Sequence, residues 1–177
     1  SFPALNASRN SVAARTSSVR ARGQSVKINV VLSDELAYRA NNMPEKRTAR
    51  GIASYRSGFA QNGYLGDDAI TRLTSRVESR FTKRLAKQGI TVSDDASVTL
   101  KITLNDAKPN RPTFNQLSKS PGLSFKSFGT GGAELKGELL TASGESAGGM
   151  SYKWYETDIR DAQYGGTWSD ADRSIDR

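Results

Sequence analysis

The sequence predicts an α+β fold, in which a small, mostly antiparallel sheet of about four strands is covered on one face by one long amphipathic helix. Two patterns predict this class. Four segments alternate apolar and polar residues with the period of a half-buried strand, and one segment carries apolar residues at helical spacing over five or six turns. Three of the strands follow the long helix instead of alternating with helices, which favours α+β over α/β.

The strands are predicted from their period of two. In the first strand, Val26, Ile28 and Val30 alternate with more polar residues, so one face is expected to be buried. Ser143-Gly144 separates the last two strands and is typical of a hairpin turn. The four predicted strands span residues 26–32, 98–105, 133–140 and 150–156.

The long helix is the clearest element. Asp67 or Asp68 is expected to cap its N-terminus, and Gly89 to end it in a left-handed conformation. Its apolar residues recur at steps of three or four and form one stripe, which is predicted to pack on the sheet. The stripe consists of Ile70, Leu73, Val77, Phe81 and Leu85.

Shorter helices are predicted on either side. Residues 34–41 favour a short helix, and residues 45–60 favour another that Gly51 and Gly58 weaken. A closing helix is predicted to begin at Trp168, with Ser169 or Asp170 as its cap.

The length of 177 residues suits one domain with its own core. Residues 1–25 contain four arginines, no acidic residue and little apolar content, so we expect a flexible basic arm or tether. Residues 26–177 are predicted to form the single α+β domain. No run of 18 apolar residues occurs. Because the chain begins at Ser1, we expect a signal segment, with an anchoring residue, to precede it.

The chain contains neither histidine nor cysteine. This excludes Ser/His/Asp and Cys-based catalysis, disulfides and ordinary structural zinc sites. Aspartates near the C-terminus lack the glycine and distal glutamate of a calcium loop, so neither a metal site nor a cofactor is predicted. Carboxylate pairs suited to hydrolysis remain open, since such pairing is spatial and the sequence selects no pair.

The formal charge of +8 is unevenly distributed. Residues 128–177 carry five basic and nine acidic residues, a net −4, so residues 1–127 carry +12. A basic surface attracts phosphate, anionic lipid and anionic polysaccharide alike. We expect the acidic end to dock against basic groups, either on a second copy or on the chain's own long helix.

Four arginines on that helix form a ladder at i, i+4 spacing, an arrangement that costs a few tenths of a kcal/mol per pair unless anions or carboxylates neutralise it. Two interpretations remain: an internally paired or solvated surface, and an anion-binding face. The anion-binding candidates are Arg72, Arg76, Arg80 and Arg84, which we call the arginine ladder, with the adjoining Lys83 and Lys87.

Residues 106–132 form the second candidate, a long connection with three prolines, three phenylalanines and four basic residues. Aromatic and basic residues interleaved in this way can stack on bases or sugars. The alternative, which we favour, is that the phenylalanines turn inward and hold the loop against the sheet. The candidates are Arg111, Phe114, Lys119, Phe125, Lys126 and Phe128.

Three strings of the sequence together resemble a family of bacterial envelope lipoproteins of unknown function. The strings are VTLKITLNDAKPNRPT (98–113), AELKGELLTASGESAG (133–148) and GTWSDADRSIDR (166–177), the last matching a Trp-x-Asp-Ala closing helix at Trp168, Asp170 and Ala171. The resemblance implies a periplasm-facing domain in the cell envelope, anchored through a lipidated cysteine upstream of Ser1. It implies no catalytic residue.

The leading hypothesis is therefore a non-enzymatic envelope protein for binding or assembly, whose basic face contacts an anionic surface, an anionic polymer or another envelope protein. The alternative is a nucleic-acid-binding protein that uses the arginine ladder and the connection at residues 106–132 with its three phenylalanines. A carboxylate-based hydrolase is third.

Overall fold

A computed structural model describes residues 25–43, 63–119, 122–124, 126–162 and 165–177. The predicted arm lies outside these residues except for Ser25, and the predicted helix at 45–60 lies outside them entirely. The division into an arm and one domain therefore stays a prediction.

The described strands form one mixed, five-stranded sheet in the order β2-β1-β3-β4-β5. β1 runs parallel to β2 and to β3, whereas the β3–β4 and β4–β5 pairs are antiparallel. The strands are β1 (Ser25–Leu32), β2 (Thr91–Val92), β3 (Val98–Lys108), β4 (Gly132–Leu140) and β5 (Ser146–Tyr155).

The four predicted strands are present, but the predicted sheet was incomplete. β2 is only two residues long and therefore has no alternation to detect. β3 extends three residues beyond its predicted end at Asn105, so the connection after β3 is shorter than predicted. β5 begins four residues before its predicted start at Met150. Two of the four strand pairings are parallel, so the sheet is mixed, although the antiparallel β3–β4 and β4–β5 pairings contain most of its paired residues.

Helices follow the order that the sequence predicts, with additions in the loops. The described helices are α1 (Asp34–Asn41), α2 (Asp67–Lys87), α3 (Phe114–Lys119), α4 (Ile159–Ala162) and α5 (Ser169–Asp176). Both α2 and α5 contribute buried residues to one core with β3 and β4. Leu36 and Ala40 of α1 belong to the same core. Three described helices thus contribute to it, where one was predicted.

The predicted caps of α2 and α5 are wrong. Gly66 occupies the N-cap position of α2 at a φ of 91°, and Trp168 occupies that of α5, in neither case with a capping side chain. The acidic residues proposed as caps lie instead in the first helical turns, where the helix dipole favours them. α1, by contrast, begins with a side-chain cap from Ser33 to the N–H of Leu36.

The apolar stripe of α2 is buried only along its N-terminal half. Ile70, Leu73 and Val77 are buried against Ile102 and Leu104 of β3 in the common core. Phe81 packs on this core but is half-buried, and Leu85 is also half-buried. The stripe therefore anchors α2 to the sheet at one end more strongly than at the other.

The decrease in burial along the stripe of α2 predicts which of two leucine-to-alanine substitutions destabilises the protein more. Leu73→Ala should lower the free energy of unfolding by about 2–5 kcal/mol, because it empties a fully buried site. Leu85→Ala should cost clearly less, because its site already contacts solvent. Urea denaturation of both variants measures the difference, and equal costs would contradict the packing of α2 described above.

Candidate functional site

Asn110 and Asp170 form the most deeply buried hydrogen bond between two side chains of the described residues, at 0% and 2% exposure. β3 ends at Lys108, and Pro109 has no backbone N–H with which to continue the ladder. Asn110 follows directly and is thereby placed at the end of the sheet. The first turn of α5 brings Asp170 to the same point.

Hydrogen bonds satisfy both groups. The side-chain amide of Asn110 donates to Oδ2 of Asp170 and to the carbonyl oxygen of Gly129 at 3.1 Å. Its Oδ1 accepts from the backbone N–H of Asp170 at 2.8 Å, and the N–H of Gly131 donates to Asp170 Oδ2 at 2.9 Å. A Cβ at Gly131 would lie 2.5 Å from the carbonyl oxygen of Lys108, so only glycine fits there. We call Asn110, Gly129, Gly131 and Asp170 the buried polar network.

Carboxylates of α5 pair with the arginine ladder. Arg72 donates two hydrogen bonds to Asp172, at 2.8 and 3.2 Å, and this contact raises the pKa of its guanidinium. Arg76 lies 3.3 Å from Asp172 and 2.7 Å from Asp176. Of the two interpretations of the ladder, the structure therefore shows the internally paired one.

The last two members of the ladder reach the backbone of α5. Arg80 donates to the carbonyl oxygen of Asp176 at 3.0 Å, and Arg84 to the same oxygen at 2.6 Å. Carbonyl groups at a helix C-terminus lack intrahelical partners and carry partial negative charge, so they favour such cations. Lys83 and Lys87 lie outside this arrangement and are exposed. The predicted docking of the acidic end is thus confirmed in its intramolecular form.

The described fold as a whole carries little net charge. Its residues include 18 Lys and Arg and 17 Asp and Glu, a formal +1 of the chain's +8. The remaining +7 belongs to residues 1–24, with +4, and to residues 44–62, with +3. The strongly basic character of the sequence is therefore not a property of the arginine ladder.

Loop candidates do not converge on one site. Phe114 is 82% exposed, which corrects the preferred expectation that it turns inward, and Phe128 is 36% exposed. Arg111 donates to the carbonyl oxygen of Gly165 at 2.7 Å, and the Lys119 ammonium lies 5.8 Å from the centre of the Tyr64 ring. Lys126 is exposed, and Phe125 lies outside the described residues.

Arg111 and Phe114 do share a cleft of about 780 Å³. It lies between the N-terminal ends of α2, α3 and α5, with Leu65 and Trp168 among its walls. Its lining includes Arg72 and Arg111 but also three carboxylates, so it is not a basic pocket. The acidic residues of the lining are Asp67, Asp68 and Asp172.

A third polar cluster, which the sequence did not single out, joins α1 to the face of the sheet opposite the core. Arg39, which is 4% exposed, donates to Asp106 at 2.7 Å, and the Tyr155 hydroxyl donates to the other oxygen of Asp106 at 2.6 Å. Burial raises the pKa of Tyr155, and the hydrogen bond to Asp106 raises it further. The irregular register between Leu104 and Asp106 turns this carboxylate away from the core, and no sequence period predicts such a bulge.

Acidic groups elsewhere are held by local contacts. The backbone N–H groups of Asp158 and Thr157 lower the pKa of Glu156, and Arg160 lowers that of Asp158. Within the part of the chain that the structure describes, no group of three or more carboxylates is arranged to hold a metal ion. Nor is any helix of that part long and apolar enough to cross a membrane.

Comparisons with known proteins assign no family. No protein-family model matches the sequence, and no curated protein matches it. Among solved structures, the chain is similar to protein XCC0632 from Xanthomonas campestris, described with the family DUF330, at 9% sequence identity and a TM-score of 0.40. The match covers 88% of this chain and 78% of that one. At such a score the similarity carries no argument, so the resemblance to envelope lipoproteins stays an expectation.

The buried polar network predicts a large effect for one asparagine. Asn110→Ala should lower the free energy of unfolding by about 3–5 kcal/mol, because it leaves the Asp170 carboxylate buried without its side-chain donor. Asn115→Ala is the matched control; it removes one half-buried hydrogen bond, to the Tyr64 carbonyl, and should cost about 1 kcal/mol. Urea denaturation measures both, and similar costs would mean that the network contributes little.

The burial of Tyr155 and its hydrogen bond to Asp106 predict that its phenol loses its proton at an unusually high pH. Its pKa is raised above 10.0, so the folded state keeps the phenol proton where the unfolded state releases it, and this contribution to stability is full below pH 10.0 and declines above it. The phenolate absorbance that Tyr155→Phe removes should therefore develop at a higher pH in the folded chain than in the same chain unfolded in urea. Superimposable difference titrations would contradict the contact with Asp106.

Proposed function

We propose that the chain is a non-enzymatic cell-envelope protein for binding or assembly, and that its basic arm, not its arginine ladder, contacts an anionic surface. The observation that carries this proposal is the pairing of the ladder with Asp172 and Asp176. The envelope location is part of the proposal and rests on the resemblance of the sequence to envelope lipoproteins.

An anionic surface meets different obstacles at the arginine ladder and at the arm. At the ladder it has to displace carboxylates that already lie 2.7–2.8 Å from the guanidinium groups. Residues 1–24 contain four arginines and no acidic residue, so no carboxylate of their own competes. The arm is therefore the more favourable contact.

The size of the effect follows from the charge of the arm. A basic residue near an anionic leaflet contributes about 1 kcal/mol at physiological ionic strength. The four arginines of residues 1–24 thus contribute about 4 kcal/mol, or roughly a thousandfold in affinity. The contribution should shrink as salt shortens the screening length.

Sedimentation with vesicles tests the proposal with two variants of equal net charge. In the arm variant Arg9, Arg15, Arg20 and Arg22 are replaced by Gln. In the control variant four exposed lysines of the fold, Lys27, Lys83, Lys87 and Lys136, are replaced by Gln. The arm variant should lose binding to vesicles of anionic lipid, while the control variant should keep most of it, because position and not total charge decides.

Neutral vesicles and a salt series complete the design. The wild-type chain should bind anionic vesicles more strongly than neutral ones, and the difference should decline with salt. Equal binding to both vesicle types, or equal losses in the two variants, would contradict the assignment to the arm.

A further inference from the structure

We propose that the outer edge of β5 pairs antiparallel with the same edge of a second copy of this chain, so that two five-stranded sheets join into one. The proposal is independent of the proposed function. Within the described ranges, β4 is the only strand that pairs with β5, and β5 is the last strand in the sheet order. An edge strand of this kind presents a row of unpaired N–H and C=O groups.

Hydrogen bonding between β4 and β5 identifies the outward-facing backbone. The N–H of Glu156 donates to the carbonyl oxygen of Gly131 at 2.9 Å, which marks a hydrogen-bonded pair. Such pairs alternate along an antiparallel ladder, so their partners in β5 are the even-numbered residues as far back as Gly148. The N–H and C=O groups of Gly149, Ser151, Lys153 and Tyr155 therefore face away from β4.

The edge has few of the features that prevent pairing. β5 is ten residues long and contains no proline. Its single charged residue is Lys153. Native proteins protect edges with short strands, prolines, several charges or bulges. β5 has one lysine and an irregular register near Ser146, so the rest of its length is weakly protected against a second strand.

Charge complementarity selects one register of self-pairing. With Ser151 opposite Ser151 of the second copy, Lys153 of each copy lies opposite Gly149 of the other. Gly149 pairs with Glu138 of β4, and Glu138 pairs with Lys101 of β3. Because glycine has no side chain, Lys153 can reach over it towards Glu138 of the other copy, roughly 10 Å away between Cα atoms across two strand spacings.

Registers that bring the two Lys153 residues closer together place like charges next to each other. With Ser151 of one copy opposite Lys153 of the other, that lysine approaches Lys136, the β4 partner of Ser151. A further shift sets the two Lys153 residues directly opposite each other, which is destabilising. Only the first register gives the alternation of Lys101, Glu138, Lys153 and Glu134 across the joined sheet.

On the other face of β5, side-chain sizes agree with this register. Met150, which is 55% exposed, lies opposite Tyr152 of the second copy, and a thioether packs favourably on an aromatic ring. Gly148 lies opposite the large side chain of Trp154. The edge formed by β5, with Glu138 of β4 behind it, is thus complementary to itself in charge, in apolar contact and in size, which is why the occupant is a second copy.

Sedimentation velocity of the full 177-residue chain over a concentration series tests the pairing. The wild type should form a concentration-dependent dimer. Ser151→Pro should abolish it, because proline removes one outward N–H without removing a bond to β4. Ser151→Ala, the control, keeps the N–H and should dimerise like wild type. Far-ultraviolet circular dichroism shows whether each variant remains folded.

A charge exchange tests the register without proline. Lys153→Glu and Glu138→Lys each place two like-charge contacts in a homodimer, and each should weaken association by roughly tenfold or more. A mixture of the two variants places opposite charges at both contacts, so heterodimers should form with near wild-type affinity. Changes confined to one sheet cannot produce this recovery on mixing.

The proposal is overturned by any of three results. These are a wild-type chain that stays monomeric at every concentration, a dimer that Ser151→Pro leaves intact, and a mixture that associates no better than its two components. If the wild-type chain stays monomeric, the strand that pairs with this edge would instead be an extended segment of a different protein.

Discussion

The need to satisfy one buried carboxylate determines how the C-terminal part of the molecule is arranged. Asp170 is 2% exposed, and burying a charge costs several kcal/mol unless donors surround it. Its donors come from two distant parts of the chain, the Asn110 side chain and the Gly131 backbone. The end of β3, the glycine-rich segment before β4 and the start of α5 are therefore fixed relative to one another.

The position of α5 explains the arginine ladder. Once Asp170 is held, Asp172 and Asp176 lie along α2, where they neutralise a repulsive row of arginines. A pattern that resembles an anion-binding face in the sequence is one side of a helix–helix contact in the structure. The acidic C-terminal helix and the basic long helix are parts of one interaction.

The sequence predicted the local features of the fold but not those that depend on pairing between distant segments. The alternation from Val26 to Leu32 and the stripe on α2 were sufficient to place these elements, because their periods are local properties of the chain. The strand β2 and the bulge before Asp106 were missed because they depend on pairing with distant strands. Asn110 was also missed as a site residue, although it lies within the strings that carry the family resemblance. Its proline neighbour and the glycines near 131 were the only local signal.

Contacts of α5 also constrain the time at which the fold can form during synthesis. Asp170 follows Asn110 by 60 positions, and Asp172 follows Arg72 by 100. Until these residues leave the ribosome, Asn110 lacks its buried partner and the arginines of α2 repel one another. The sheet, the long helix and the closing helix therefore complete their packing only after α5 has been synthesised. A chain halted before α5 would expose the core surface that Ala171 and Ile175 cover, which makes it a substrate for chaperones and proteases.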